Sequence, residues 1–81
     1  MRVRVQYFSQ LREVAGGSEE EVELPEGATI GELLARLYQL HPGLQKWDRQ
    51  ILIGSGVEFV RRDKAIRPNE PVAIMPPVQG G

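Results

Sequence analysis

Thr29-Ile30-Gly31-Glu32-Leu33-Leu34-Ala35-Arg36-Leu37-Tyr38 decides how the rest of the chain must be arranged. Ile30, Leu33, Leu34, Leu37 and Tyr38 recur at helical spacing, so the segment is a helix with one apolar stripe to bury. Thr29 and Glu32 fit a capping box at its start. The hydroxyl accepts the Glu32 N–H, and the carboxylate reaches back to the Thr29 N–H. Pro42 ends the helix and Gly43 allows the turn that follows. One amphipathic helix needs an apolar partner surface, and most of the remaining pattern is that of strands.

Val3, Val5 and Tyr7 alternate with Arg2, Arg4 and Gln6, which predicts a first strand with one buried face. Ser9 is expected to cap a short helix holding Leu11, Val14 and Ala15, stopped by Gly16-Gly17. Val22 and Leu24, on either side of Glu23, give a second strand that ends at Pro25 and pairs with the first. Ile51-Leu52-Ile53 is a third strand. Gly54-Ser55-Gly56 is expected to turn it into Val57-Glu58-Phe59-Val60. Arg67-Pro68-Asn69-Glu70-Pro71 is a loop, and Val72-Ala73-Ile74-Met75 is a last strand cut off by Pro76-Pro77. The order strand, strand, helix, strand, short strand, strand implies an α+β domain, a sheet packed on one face by one main helix. The 81 residues form a single domain, with residues 76–81 as a protruding tail.

Ten basic residues face eleven acidic ones, for a net charge of -1. A general nucleic-acid binder would carry a basic surplus, so the charge balance argues against that class. Glu19, Glu20, Glu21, Glu23 and Glu26 form an acidic run, and Arg61, Arg62, Lys64 and Arg67 a basic one. They are either two solvated faces or a charged rim that orients a partner protein. With no cysteine, disulfides and thiolate metal sites are excluded. The first residues have no apolar signal core, and no apolar run approaches the ~20 residues that span a bilayer. A cytoplasmic location without membrane contact is expected.

The folded part offers little for conventional catalysis. His41 is the sole histidine and lacks companions for a metal site, so none is expected. Its place at the end of the main helix suits contacts with terminal carbonyls. Ser9, Ser18 and Ser55 have no spacing to His41 that suggests a triad. Gly54-Ser55-Gly56 lacks the Gly-Lys-Ser/Thr that a phosphate loop requires.

The end of the chain is different. Pro76-Pro77 stops sheet pairing and stiffens the exit, because proline lacks an N–H and fixes φ. The four residues Val78-Gln79-Gly80-Gly81 reach at most roughly 14 Å when extended. Two glycines at the end carry no side chain, so such a tail threads a narrow tunnel and presents an unhindered carboxyl group. At a usual glycine frequency of about 7%, a terminal pair arises by chance about once in 200 chains, which disfavours an idle end. The chemistry that needs such an end is carboxyl activation, in which adenylation supplies the leaving group and sulfide replaces it.

Pro76-Pro77-Val78-Gln79-Gly80-Gly81 resembles the Pro-Pro-Val-x-Gly-Gly ending of the small subunit of molybdopterin synthase, the MoaD-like sulfur carriers. Val5-Gln6-Tyr7-Phe8-Ser9-Gln10-Leu11-Arg12-Glu13 is similar to that family's first strand and its Phe-x-x-x-Arg-Glu stretch. The resemblance implies a ubiquitin-like β-grasp fold with adjacent, parallel first and last strands. It implies that Gly81 is adenylated by an activating enzyme of the ubiquitin-activating type, which uses ATP, and is then thiocarboxylated. The tail, Pro76 to Gly81, would next enter the large catalytic subunit of the synthase and give sulfur to a pyranopterin precursor of molybdenum cofactor. The carrier itself would hold no cofactor and be a non-catalytic subunit, two small and two large subunits forming a heterotetramer. Phe8, Phe59 and Met75 match apolar interface positions of the family. They are expected to form an exposed patch beside the tail, the alternative being that they fill the small core. Asn69-Glu70 replaces the family's usual Gly-Asp, and asparagine tolerates the left-handed conformation of a turn glycine. Ser55-Gly56 replaces its usual Val-Asn. These departures leave open a carrier for thiamine or transfer-RNA thiolation, or a ubiquitin-like protein modifier.

Overall fold

Alternation in the first residues is realised as strand β1 (Arg2–Tyr7), with Val3, Val5 and Tyr7 buried and Arg2 and Arg4 exposed. The structure, a computed structural model, describes residues 1–77. Helix α1 (Leu11–Ala15) follows, then β2 (Glu19–Glu23), helix α2 (Ile30–Leu40), a 3₁₀ helix (Pro42–Trp47), β3 (Leu52–Ser55), β4 (Glu58–Phe59) and β5 (Val72–Met75). The strands form one mixed sheet in the order β2-β1-β5-β3-β4. β1 runs antiparallel to β2, with Val3 opposite Val22, and parallel to β5, with Val5 opposite Val72. The first and last strands are therefore adjacent and parallel, as the resemblance implied.

The apolar stripe of α2 covers one face of this sheet. Ile30, Leu33, Leu34 and Leu37 are buried together with Val3, Val5, Tyr7, Val22, Ile53, Val72 and Ile74. Each fully buried aliphatic side chain contributes about 1.5–3 kcal/mol, so this layer supplies most of the favourable energy of so small a domain. The capping box forms as the sequence predicts. The Glu32 N–H donates to Thr29 Oγ1 at 3.2 Å, and the Thr29 N–H donates to Glu32 Oε1 at 3.1 Å. Two more donors of the first turn are met from outside the helix. The Ile30 N–H bonds to the Lys64 carbonyl at 2.9 Å and the Gly31 N–H to the Arg62 carbonyl at 2.8 Å. The basic segment is thus tied by its backbone to the start of α2.

Several local expectations are corrected. Ser9 does not cap α1. Its φ is 54°, whereas a capping serine needs extended backbone, and Gln10 precedes the helix without a side-chain bond. Gly16, with φ 81°, ends the helix in the left-handed conformation that glycine adopts freely. Gly54 and Ser55 lie in β3 and not in a turn. They pair with Ala73 and Val72 of β5, which holds them in the ladder and leaves a tighter turn at Gly56. β2 stops at Glu23, short of Leu24. Pro42 ends α2 and also opens the 3₁₀ helix that buries Leu44, because a proline suits a first helical turn. Asn69 takes the left-handed conformation expected of it, with φ 67°.

The acidic run is largely a cross-strand ladder. Arg2 lies 3.3 Å from Glu23 and 3.9 Å from Glu21, and Arg4 lies 3.9 Å from Glu19. These exposed pairs add ~1 kcal/mol or less each, but they line an edge strand with charge, which discourages strand addition there. Glu20 points the other way. Its Oε2 accepts from the Tyr7 hydroxyl and lies 2.6 Å from His41 Nε2, with the Tyr7 and His41 rings edge to face at 6.1 Å. The His41 backbone N–H reaches the Leu37 carbonyl, but its ring serves this inter-element cluster instead of helix-end carbonyls. Among the described residues, no helix is long and apolar enough to cross a membrane.

Burial and the bond to Glu20 push the Tyr7 phenol well above its ordinary value. Burial and the bond to Asp48 do the same for Tyr38. The neutral phenols are favoured only in the fold, so their contribution is complete below the unfolded value near ~10 and is lost as pH rises further. Stability should fall above about pH 10, and Tyr7→Phe should flatten that fall while costing about 1 kcal/mol at neutral pH. Thermal or urea unfolding of the two proteins between neutral and alkaline pH checks both signs.

Candidate functional site

β5 lies between β1 and β3, in the middle of the sheet, and is the last strand before the tail. Its final pair is Met75 with Leu52; Pro76 and Pro77, which have no N–H to donate, come next and are half-buried. Val78, Gln79, Gly80 and Gly81, which carry the predicted chemistry, lie outside the described residues. What the structure defines is the root of the tail and the surface around it.

That surface is the sheet face not covered by α2. In a strand successive side chains alternate between faces, and residues opposite one another share a face. Val72, Ile74 and Ile53 point to the core, so Ala73, Met75, Leu52 and Gly54 point to the open side. Gly54 pairs with Phe59, and Gln6 with Ala73. The Phe8 N–H continues the β1–β5 pairing by donating to the Ile74 carbonyl at 3.1 Å. Phe8 therefore stands beside Met75, on the side of Arg4 and Gln6. The register brings Phe8, Met75 and Phe59 onto one face. Phe59 is 71% exposed, Phe8 37%, and Met75 is partly exposed.

Three more residues complete the apolar half of the face, and sequence reasoning missed them. Leu52 is Met75's partner, Ala73 lies between Gln6 and Gly54, and Gly54 supplies no side chain at all. A Cβ on Gly54 would come within 3.2 Å of the Met75 terminal methyl and 3.6 Å of the Ala73 Cβ. The absence of a side chain at Gly54 thus lets the Met75 methyl pack flat over β3 beside Phe59. The signal that assigns these residues is the strand register, which alternation within one strand does not supply. The other half of the same face is charged, carrying Arg2, Arg4, Glu19, Glu21 and Glu23.

A second polar cluster lies outside this face. Tyr38 donates to Asp48 Oδ1 at 2.6 Å, and Arg62 donates to the same oxygen at 2.7 Å and to the Asp48 carbonyl. The bonds from Tyr38 and Arg62 hold the Asp48 carboxyl below its ordinary range. The carboxylate in turn raises the Arg62 guanidinium. This cluster ties α2, the residue after the 3₁₀ helix and the basic segment together, and its groups are all mutually engaged. Among the described residues, no three His, Cys, Asp or Glu side chains converge as metal ligands. The geometry of the described residues can dock a partner at the root of the tail.

A family model described as the ThiS family matches residues 5–81. The molybdopterin synthase sulfur carrier subunit of Chlamydomonas reinhardtii is 40% identical over 83 residues, covering 100% of each chain. In structure the chain is similar to molybdopterin converting factor subunit 1 of Pyrococcus furiosus, with a TM-score of 0.87 and 30% identity over 96% of this chain and 99% of that one. It is also similar to the modifier protein SAMP1 of Haloferax volcanii, with a TM-score of 0.84 and 27% identity over the full length of both. These neighbours share its mixed five-stranded, ubiquitin-like β-grasp architecture. The chain belongs to the ThiS family, alongside the molybdopterin synthase sulfur carrier subunits.

Proposed function

We infer that this chain is the sulfur-carrying subunit of a molybdopterin synthase and that the carboxyl group of Gly81 bears the sulfur. The observation that carries the reading is the central strand β5 running directly into Pro76-Pro77 beside an open apolar face. The full-length similarity to a molybdopterin synthase sulfur carrier subunit supports it. In this reading an adenylyltransferase of the ubiquitin-activating type joins the Gly81 carboxylate to the α-phosphate of ATP, and pyrophosphate leaves. A sulfide donor then adds to the carbonyl carbon and AMP leaves, giving a glycyl thiocarboxylate. Inside the large subunit the thiocarboxylate sulfur bonds to a side-chain carbon of the pyranopterin precursor as a C–O bond at that carbon breaks, the oxygen leaving as water or staying with the phosphate. Water cleaves the acyl–sulfur bond, restoring the Gly81 carboxylate and leaving sulfur on the pterin. Two such transfers make one dithiolene.

The folded domain serves as handle and address in this scheme. Phe8, Met75, Leu52, Ala73 and Phe59 supply apolar area around the tail root, and the Arg–Glu ladder forms a charged rim that sets orientation. Both partner enzymes need the tail, so both use this face in turn. The likeness to SAMP1 favours a second reading, a modifier whose Gly81 is conjugated to lysines. Higher-mass conjugates in the native host would support that role, and a stoichiometric larger subunit the first.

Deleting Gly81, or adding one residue after it, should abolish sulfur transfer while leaving the unfolding transition unchanged. Continued molybdopterin synthesis by either variant refutes the assignment of Gly81. Intact mass before and after mild alkylation should show a sulfur-for-oxygen gain with an adduct mapping to Gly81, since the chain has no cysteine to compete.

The open face has its own test. Phe59→Ala touches an exposed side chain and should change stability by ~0.5 kcal/mol or less, yet weaken large-subunit binding roughly 30-fold. Gly54→Ala pushes the Met75 methyl away from its place over β3 and should impair binding in the same direction. Titration calorimetry with the large subunit reads both; unchanged affinity in both variants removes this face from the interface.

A further inference from the structure

The corner between β1 and α1 is built around Arg12. Ser9, with φ at 54°, sits in the left-handed region that residues with a Cβ rarely adopt. The chain is held there by the Arg12 N–H on the Ser9 carbonyl at 3.1 Å and the Leu11 N–H on the Phe8 carbonyl at 3.1 Å. The Arg12 side chain folds back over this corner. Its Nε donates to the Tyr7 carbonyl at 3.2 Å, and its guanidinium carbon lies 6.0 Å from the centre of the Phe8 ring. That separation is within the range at which a cation and an aromatic face attract. One side chain therefore holds both the last carbonyl of β1 and the aromatic ring that stands beside Met75 at the tail root.

The guanidinium has five N–H donors, and the described residues engage one of them. Arg2 and Arg4, the other arginines of the N-terminal segment, are committed to Glu19, Glu21 and Glu23. Arg12 makes no ion pair among the described residues, and it is exposed. A planar cation fixed at one edge and one face, with its remaining edge open, matches a carboxylate through two parallel N–H bonds.

We propose that Phe8 and Arg12 act as one recognition element beside the tail root, in which Arg12 positions the Phe8 ring and offers its outer edge to a carboxylate on the large subunit of the synthase. The identity of that partner rests on the sulfur-carrier reading. The element explains why the chain accepts a left-handed serine: the corner returns α1 over the end of β1, which brings Arg12 onto Phe8. It also gives a mostly apolar surface a directional contact that a purely hydrophobic patch lacks.

The test uses the full chain and the purified large subunit, with Arg12→Ala and Arg12→Lys compared by calorimetry and by steady-state sulfur transfer. Arg12→Ala should weaken binding roughly tenfold, and the gap should narrow at high salt. Arg12→Lys should recover only part of the loss, because an ammonium keeps the charge without the planar fork. KM for the charged carrier should rise with kcat unchanged, as expected for docking. Without any partner, the Phe8 amide should exchange faster in Arg12→Ala. Equal binding by wild type and Arg12→Ala overturns the proposal, as does full recovery by Arg12→Lys or a loss confined to kcat. If wild type itself neither binds nor donates, the sulfur-carrier reading fails instead.

Discussion

Parallel pairing between β1 and β5 is the constraint on which the rest of the molecule depends. Val5, Gln6 and Tyr7 lie opposite Val72, Ala73 and Ile74, so the two strands run in one direction and finish at the same end of the sheet. Parallel neighbours cannot be joined by a hairpin; the chain between them must cross over, and here it crosses through α2. The crossover covers one face with apolar side chains and leaves the other bare. It also places the start of the tail next to the residues that follow β1. The exposed aromatic Phe8, the strand end Met75 and the prolines come together because of this topology, although 66 or more residues separate Phe8 from them in the chain.

The bare face is divided by function. Its β1–β2 side is a ladder of arginines and glutamates, and its β5–β3–β4 side is apolar. Exposed ion pairs of this kind contribute little to stability, so the ladder is better understood as protection of an edge and as orientation. The apolar side is not protected in the same way. Phe59 sits on the short strand at the opposite edge with most of its surface in water, on the same face as Met75 and Phe8, and a contiguous exposed apolar patch of this kind marks an interaction site. The internal polar cluster shows the opposite arrangement. Tyr7, Glu20 and His41 satisfy one another across three elements, so a carboxylate close to the core carries no unpaired burden.

How much of this was legible depended on whether the deciding signal was local. The capping box, the apolar stripe of α2 and the alternation of β1 are properties of ten residues or fewer, and each appears as read. The stop at Pro76-Pro77 is local too. Gly54 and Ser55 read locally as a turn because glycine and serine favour turns on average, whereas their place in β3 is set by pairing with β5, some twenty residues away. The nearest neighbours of His41 suggest helix-end carbonyls as its partners; its ring partner, Glu20, lies 21 residues upstream. Leu52, Ala73 and Gly54 could be placed on the open face only once the register was known. Ser9 is the clearest case, since serine before a helix is a cap by preference, and here the geometry of the corner overrides that preference.

A carrier with its reactive group at the end of a tail must solve two problems with one small surface. On the proposed reading the carboxyl group of Gly81 is no more reactive than any other, so activation and transfer would both be supplied from outside, by enzymes that each enclose the tail. If both dock on the face around the tail root, they exclude each other, and the order of events follows from which complex each state of Gly81 favours. Very tight binding to either would stall the cycle. A face built from a few half-exposed apolar residues and a charged rim suits moderate affinity, because little area is buried and the charged groups speed encounter more than they prolong it. On this reasoning the modest size of the apolar patch is part of how the carrier works: it allows release as readily as recognition.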